Sequence, residues 1–299
     1  MSASSQPKPN FFIVGAAKSG TTSLWMYLKQ HPDIFMPETV NLKEPGYFCH
    51  LYGIKNYDKY ISIFEKAKGK KAVGEASHAY LSSPESATWI KNFNPQAKII
   101  IILRNSVERA YSLYNWMISE GYEWVSPFEK ALEIEEKRLK DDNFKYNNPE
   151  YWYNYLYFIS GLYSEQIQRY LNVFPNQQIR IYLFEDLINN SIGVTQQIYD
   201  FLEVDSTFTP DTTKIYNTKK TPKFIKLQFL CKQKLHKYLR KMRVPNSKKI
   251  QEKILNLNCS IGKNNNLNPQ TKKTLQSWYK NDIKETAKLI NRNLEHWLH

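Results

Sequence analysis

The stretch Gly15-Ala16-Ala17-Lys18-Ser19-Gly20-Thr21-Thr22-Ser23 follows an apolar run at residues 11–14 and precedes an amphipathic run at residues 24–28. This order predicts a strand, a glycine-containing loop and a helix whose first N–H groups face an anion. Gly15 and Gly20 have the spacing found in the phosphate loop of nucleoside triphosphatases, where a lysine follows the second glycine. This chain has Thr21 there and a lysine inside the loop, at position 18. The stretch therefore predicts a phosphate-binding loop and disfavours the alternative of a kinase or triphosphatase.

Strand and helix patterns alternate along the rest of the chain. The unbroken run Lys98 to Leu103 predicts a parallel strand buried on both faces. The other expected strands are 11–14, 72–75 and 179–184, and the expected helices are 83–92, 106–118, 161–174, 192–202, 222–243 and 269–291. Alternation of this kind predicts an α/β fold with a central parallel sheet flanked by helices. In such sheets ligands bind beyond the carboxyl ends of the strands, where Gly15–Thr22 and Arg104 fall.

Composition limits the other possibilities. The 299 residues, 41% of them hydrophobic, are enough for a single domain over residues 10–299 behind a flexible N-terminus at residues 1–9. The longest apolar run is far shorter than the roughly 20 residues of a membrane span, and residues 1–10 carry no apolar signal region. We therefore expect a cytoplasmic protein without a membrane partner. Three scattered cysteines and no metal-ligand spacing predict neither disulfides nor a metal.

Most of the net charge of +14 comes from one block, residues 214–253, which holds fourteen Lys or Arg residues against Glu252 alone. Such a block attracts polyanions, so a nucleic-acid-binding protein is the alternative from another class. The absence of zinc-finger spacing and of an aromatic RNA-recognition signature disfavours nucleic acid. A solvated helix face near an anionic ligand explains the charge equally well.

Four segments together resemble the sulfotransferases that use 3′-phosphoadenosine-5′-phosphosulfate (PAPS), in particular the bacterial and heparan-sulfate-type members. They are Ile13–Leu24, Lys43–Phe48, Ile102–Ser112 and Asn291–Leu298. They occur in the family's order and span almost the whole chain. The resemblance implies the P-loop-like sulfotransferase fold and a requirement for PAPS, with the bisphosphate PAP as product and no metal.

The resemblance also assigns residues to the sulfuryl donor, which carries two separate anionic groups. It places the 5′-phosphosulfate on the loop and the 3′-phosphate on Arg104 and Ser112. The guanidinium of an arginine can donate two parallel hydrogen bonds to a phosphate. Residues 216–222 resemble a late loop that closes over the nucleotide, and the family's pattern makes 205–262 a basic loop and helical cap over nucleotide and acceptor. The complete expected binding set is Lys18, Ser19, Gly20, Thr21, Thr22, Ser23, Arg104, Ser112, Lys219 and Lys220.

For catalysis, the resemblance makes Glu44 the general base, because an acceptor attacking sulfur must lose a proton. Lys18 would steady the leaving phosphate. His78 stands where related proteins often have proline, and it either lines the acceptor pocket, shares the proton transfer or is structural. Ala76 stands where some relatives carry lysine, so we expect no lysine contact to the acceptor from this segment.

The sequence thus predicts an enzyme of the EC 2.8.2 type. It would transfer a sulfuryl group from PAPS to a hydroxyl or amine of a soluble small molecule, such as a bacterial secondary metabolite. The alternatives are a glycan sulfotransferase, an inactive member of the family, and a nucleic-acid-binding protein that uses residues 214–253.

Overall fold

A five-stranded parallel sheet is the centre of the computed structural model, which describes residues 6–38, 43–213, 220–261 and 266–299. The spatial order is β2-β3-β1-β4-β5. The strands are β1 (Phe11–Gly15), β2 (Ile34–Phe35), β3 (Ala72–Glu75), β4 (Lys98–Leu103) and β5 (Ile179–Leu183). A separate antiparallel pair joins β6 (Lys220–Pro222) to β7 (Cys259–Ile261).

Helices connect and flank these strands. In chain order they are α1 (Thr21–Leu28), α2 (Tyr57–Ser62), α3 (Ala79–Ser82), α4 (Ser86–Phe93), α5 (Ser106–Ser119), α6 (Phe128–Glu133), α7 (Glu135–Lys140), α8 (Asp142–Tyr146), α9 (Tyr163–Leu171), α10 (Phe184–Asn189), α11 (Ser191–Phe201), α12 (Ile225–Leu230), α13 (His236–Lys241), α14 (Ser247–Leu257) and α15 (Pro269–Ile290). Within the described ranges, no helix is both long and apolar enough to cross a membrane.

The contacts divide the chain into two compact units. The first contains Met1–Asn105, Tyr163–Tyr216 and Asp282–Asn293, and it holds the whole parallel sheet. All five residues of β1 are buried, as are the five apolar residues of β4. This double burial explains why both strands are continuous apolar runs. Apolar side chains from α1 and α11 pack on one face of these strands in a single core cluster.

The second unit contains Ser106–Leu162, Asn217–Asn281 and Leu294–His299. Its interior includes a buried ion pair between Arg138 Nη2 and Glu123 Oε2 at 2.7 Å. Tyr157 donates its hydroxyl to the same carboxylate at 2.9 Å, and the other end of the Arg138 guanidinium donates to the carbonyl of Tyr155 at 3.1 Å. These bonds compensate for the loss of water around the two buried charges.

The α/β prediction is confirmed, and the four expected strands lie where the sequence placed them, to within one residue. β2 was not expected, because two residues are too few for a pattern. The expected helical stretch over 222–243 is helical from Ile225 to Lys241, with a π-helical turn at Cys231–Leu235 within it, and α14 follows it. The expected flexible N-terminus falls partly on residues 1–5, which lie outside the described residues. The single domain and its cap stay predictions.

Candidate active site

The glycine-containing loop connects β1 to α1 at the carboxyl edge of the sheet. The N–H of Ala16 donates to the carbonyl of Ile102 at 2.7 Å, which ties the loop to the neighbouring strand. Gly20 precedes α1 with a φ of 88°, a conformation that glycine adopts without strain. Among the described residues, no side chain caps α1, so the first N–H groups of this helix, at its positive end, have no side-chain acceptor there.

Ser19 lies at the centre of this loop and is fully buried. Its hydroxyl has no hydrogen-bond partner among the described residues. Buried hydroxyls are nearly always paired, so an unpaired one inside an anion-type loop indicates a place for a ligand oxygen. Thr21 is buried, whereas Thr22 and Ser23 are half-buried at the start of α1.

Arg104 follows the last residue of β4 and lies beside the loop. One guanidinium N–H donates to the carbonyl of Lys18 at 3.4 Å, and the guanidinium lies over the Phe184 ring at 4.7 Å. Tyr163 donates its hydroxyl to the carbonyl of Arg104 at 3.0 Å. The structure therefore brings Arg104 and the loop together. Tyr163 fixes the backbone of Arg104, and the Phe184 ring packs against its guanidinium plane.

A chain of side chains links α1 to an acidic group. Lys43 is buried, and its ammonium donates to Thr22 Oγ1 at 3.1 Å and to Glu44 Oε1 at 2.8 Å. The other oxygen of Glu44 lies 2.7 Å from Nδ1 of His78. The Glu44 and His78 side chains keep 24% and 11% of their accessible surface, so both border an open space.

The neighbours of Glu44 determine its charge. Burial by itself would raise the pKa of Glu44, but His78 and Lys43 outweigh it and hold that pKa well below the usual value. Glu44 therefore stays ionised throughout the neutral range. A carboxylate stabilised in this way is a weak base on its own, yet it fixes the ring of His78 through Nδ1.

A second acidic residue, Glu75, lies in the interior and organises the hydroxyl groups next to the Glu44–His78 pair. Its fully buried carboxylate accepts hydrogen bonds from the hydroxyls of Tyr60 at 2.7 Å, Ser77 at 2.8 Å and Tyr80 at 3.0 Å. Burial is the main reason that the pKa of Glu75 rises to about 7, although the three hydroxyls oppose it.

Two of these hydroxyls also hold the segment that carries Glu44. Ser77 Oγ accepts the N–H of Gly46 at 3.1 Å, and Tyr80 Oη accepts the N–H of Phe48 at 3.3 Å. The Glu75 network therefore fixes the position of residues 43–48 relative to the segment that ends in His78.

The sequence-predicted residues are not all placed in one group. The structure brings Lys18, Arg104 and residues 19–23 together, and it pairs Glu44 with His78. Ser112 lies half-buried on α5, within the second unit. Lys219 lies outside the described residues, and of Lys220 only the backbone, as the first residue of β6, is described. Alanine at position 76 is buried.

Sequence reasoning missed the roles of Lys43 and Glu75. Lys43 was part of a quoted motif but was not singled out, since a lysine beside a glutamate is usually solvated. Glu75 is the last residue of an apolar strand pattern. A carboxylate at the end of a buried strand was the one sequence signal that could have indicated its role. Across the described ranges, no group of three His, Cys, Asp or Glu residues could hold a metal ion.

Comparison with known proteins gives a consistent assignment. The family model described as "Sulfotransferase domain" matches residues 8–288. The crystal structure of a sulfotransferase from Alicyclobacillus acidocaldarius is similar, with 29% identity and a TM-score of 0.73, over 98% of this chain and 100% of that one.

Two longer relatives match about two thirds of the chain. The membrane-associated sulfotransferase kil1 of Dictyostelium discoideum is 27% identical over 268 residues, which cover 66% of this chain and 56% of that protein. The human bifunctional heparan sulfate N-deacetylase/N-sulfotransferase 3 is 27% identical over 212 residues, covering 66% of this chain and 22% of that protein. The chain thus spans about half of the first relative and about a fifth of the second. The match of the family model across nearly the whole chain shows that this protein belongs to the sulfotransferase domain family.

Proposed function

We propose that this protein transfers a sulfuryl group from PAPS to a hydroxyl or amine of a soluble small molecule. One observation carries the proposal: Lys43 bridges the anion-type loop, through Thr22, to the carboxylate–imidazole pair of Glu44 and His78. Sulfuryl transfer needs a donor phosphate held on one side of sulfur and a proton acceptor on the other. The bridge joins groups suited to these two tasks.

The loop residues fit the donor. The Ser19 hydroxyl and the first N–H groups of α1 have no side-chain partner in the part of the chain that the structure describes, and they suit the oxygens of a 5′-phosphosulfate. Lys18 and these N–H groups would stabilise the negative charge that develops on the leaving phosphate. Arg104 would bind the 3′-phosphate through its fork of N–H donors. Ser112, Lys219 and Lys220 remain predicted contributors to nucleotide binding.

The transfer step follows from this assignment. The acceptor oxygen or nitrogen forms a bond to sulfur while the bond from sulfur to the phosphate oxygen breaks. The proton of the acceptor passes to the Glu44–His78 pair. Because Glu44 is held ionised by its neighbours, we assign it to orienting His78 and stabilising the imidazolium, and His78 to accepting the proton. Lys43 supplies positive charge between the two halves of the site.

The acceptor class has two candidates. We propose a small molecule met in the cytoplasm, such as a bacterial secondary metabolite. A carbohydrate acceptor is the second candidate, and the names of two relatives favour it: the human heparan sulfate enzyme and human carbohydrate sulfotransferase 15.

Isothermal titration with 3′,5′-adenosine bisphosphate tests the donor site. We expect micromolar binding by the wild type and a loss of at least about tenfold in Lys18→Ala and Arg104→Ala, because each removes a cation from a phosphate. Lys66→Ala, an exposed lysine, is the control that should bind like the wild type. Binding of ATP with no binding of the bisphosphate would contradict the proposal and favour a kinase or triphosphatase.

Transfer from radiolabelled PAPS to a panel of phenols, alcohols, amines and oligosaccharides then identifies the acceptor class. With a working acceptor, the rate should rise with pH, because a protonated His78 cannot accept the proton of the acceptor. His78→Gln should abolish this rise. A rise that persists in His78→Gln but disappears in Glu44→Gln would make Glu44 the base.

A further inference from the structure

Residues 223–257 form a helical segment with an unusual distribution of side chains. The segment consists of α12, the π-helical turn, α13 and α14, and it carries eleven Lys or Arg residues against one acidic residue. It belongs entirely to the second unit.

Amide side chains make the described hydrogen bonds from the buried positions of this segment. Four of its described side chains, counting the adjoining Asn258, are buried, and three of them are Gln228, Gln251 and Asn258. Gln228 donates to the carbonyl of Ser119 at 2.7 Å, and Gln251 donates to the carbonyl of Cys231 at 2.6 Å. Asn258 donates to the carbonyl of Phe224 and to the side-chain oxygen of Gln228, both at 2.9 Å.

The outward side carries large apolar groups. Phe224, Tyr238 and Leu257 expose 66%, 62% and 68% of their surface, and Leu227, Leu230 and Met242 are also exposed. Exposed positions recur every three or four residues through α12, the π-helical turn and α13: Leu227, Leu230, Lys234, Tyr238 and Lys241.

An ordinary surface helix turns its apolar residues inward and keeps its outward side polar. This segment has apolar residues on its half-buried side as well, such as Phe229 and Leu239, but its outward side also carries large apolar groups among the cations. Exposed apolar side chains interspersed with cations indicate a binding partner that is both hydrophobic and anionic. The surface of a bilayer with anionic lipids has these two properties, since aliphatic and aromatic groups enter the acyl boundary while Lys and Arg contact headgroup phosphates.

We propose that residues 223–257 dock this protein onto the surface of an anionic membrane. A nucleic acid would meet the cations but would leave the aliphatic groups without a function. A second copy of this chain would bring two strongly basic faces together. The proposal goes beyond the transferase activity and differs from the sequence-based expectation of no membrane partner, which rested on spans and could not include side-chain exposure.

Vesicle flotation with the whole protein tests this inference. We expect binding to vesicles of equal parts phosphatidylcholine and phosphatidylglycerol, and at least about tenfold weaker binding to phosphatidylcholine alone. The decisive variant, Leu230→Gln with Tyr238→Gln and Leu257→Gln, keeps every charge. It should bind the anionic vesicles at least about tenfold more weakly, because its apolar contacts with the acyl boundary are lost.

The matched control is Ile188→Gln with Tyr146→Gln, which changes equally exposed apolar residues elsewhere and should bind like the wild type. A charge variant, Lys226→Gln with Lys234→Gln and Lys253→Gln, should also bind more weakly. All four proteins should have the same circular dichroism spectrum, since every altered side chain is exposed.

Two outcomes would overturn the proposal. One is equal binding to anionic and neutral vesicles, or no binding to either. The other is anionic-vesicle binding that the triple apolar variant leaves unchanged; if duplex DNA also competes that binding away, the segment is assigned to nucleic acid. Both can be measured without substrate turnover, so they are independent of the proposed transferase activity.

Discussion

The buried carboxyl of Glu75 should make the protein less stable as pH rises from 5 to 8. Its pKa is about 7 in the folded protein against 4.5 for an ordinary glutamate. Between these values the folded state holds a proton that the unfolded state has released, so the free energy of unfolding falls as pH rises. A difference of 2.5 pKa units corresponds to about 3 kcal/mol. The stabilisation is complete below pH 4.5 and is lost as pH rises through about 7.

Glu75→Gln tests this reasoning, because an uncharged amide replaces the protonated carboxyl at nearly the same size. We expect the variant to be slightly less stable than the wild type at pH 5, where three hydroxyl bonds are imperfectly replaced. At pH 8 its disadvantage should shrink or reverse, so that the variant gains about 2.5 kcal/mol relative to the wild type between the two pH values.

Urea unfolding at pH 5, 6, 7 and 8 measures the difference directly. Glu135 also has a raised pKa of about 7 because of burial, but it is present in both proteins and cancels. The exposed Glu165→Gln is the matched control, and its profile should run parallel to that of the wild type. If the Glu75→Gln and wild-type profiles are also parallel, Glu75 is ionised in the folded protein at pH 5 and the argument from its burial fails.

Three further changes should have measurable effects. Gly20→Ala should destabilise the fold by about 1 to 2 kcal/mol in urea, because its φ of 88° is unfavourable for alanine and a new methyl would lie 3.0 Å from the Phe184 ring; unchanged stability would contradict this. Arg138→Met should lower the free energy of unfolding by about 3 to 5 kcal/mol, because the buried Glu123 carboxylate loses its cation, and adding Glu123→Gln should recover much of the loss; no recovery would mean that the lost packing of the Arg138 side chain causes the loss. Lys43→Met should lower kcat about 100-fold while changing bisphosphate affinity less than tenfold, because it removes the charge between the loop and the carboxylate; a selective loss of affinity would instead make it a nucleotide-binding residue.

The strands of the parallel sheet were readable from sequence because burial on both faces leaves an unbroken apolar run, as at Lys98 to Leu103. Lys18 and Arg104 were readable because they follow such runs at strand ends. The structure places these two side by side and pairs Glu44 with His78. The chemical role of each residue stays a prediction.

Other features depend on tertiary contacts that no local pattern encodes. Lys43 owes its importance to burial between Thr22 and Glu44, and Glu75 owes its raised pKa to an interior that encloses it completely. The π-helical turn at Cys231–Leu235, inside the expected helical stretch over 222–243, is a feature of the same kind. It lies where the side-chain amide of Gln251 donates to the carbonyl of Cys231, a contact between residues twenty apart in the sequence.

The parallel order of the central strands has a consequence for the speed at which activity appears. Lys18, Glu44, His78 and Arg104 come from four separate stretches of sequence, and Phe11 pairs with Gly74 on one side and Lys98 on the other. Contacts between residues so far apart form slowly, because long loops must close first. After dilution from urea, helical signal should therefore return early, and the ability to bind nucleotide should return only when the last of these strands has paired. The return of nucleotide binding would thus report when the final step of folding is complete.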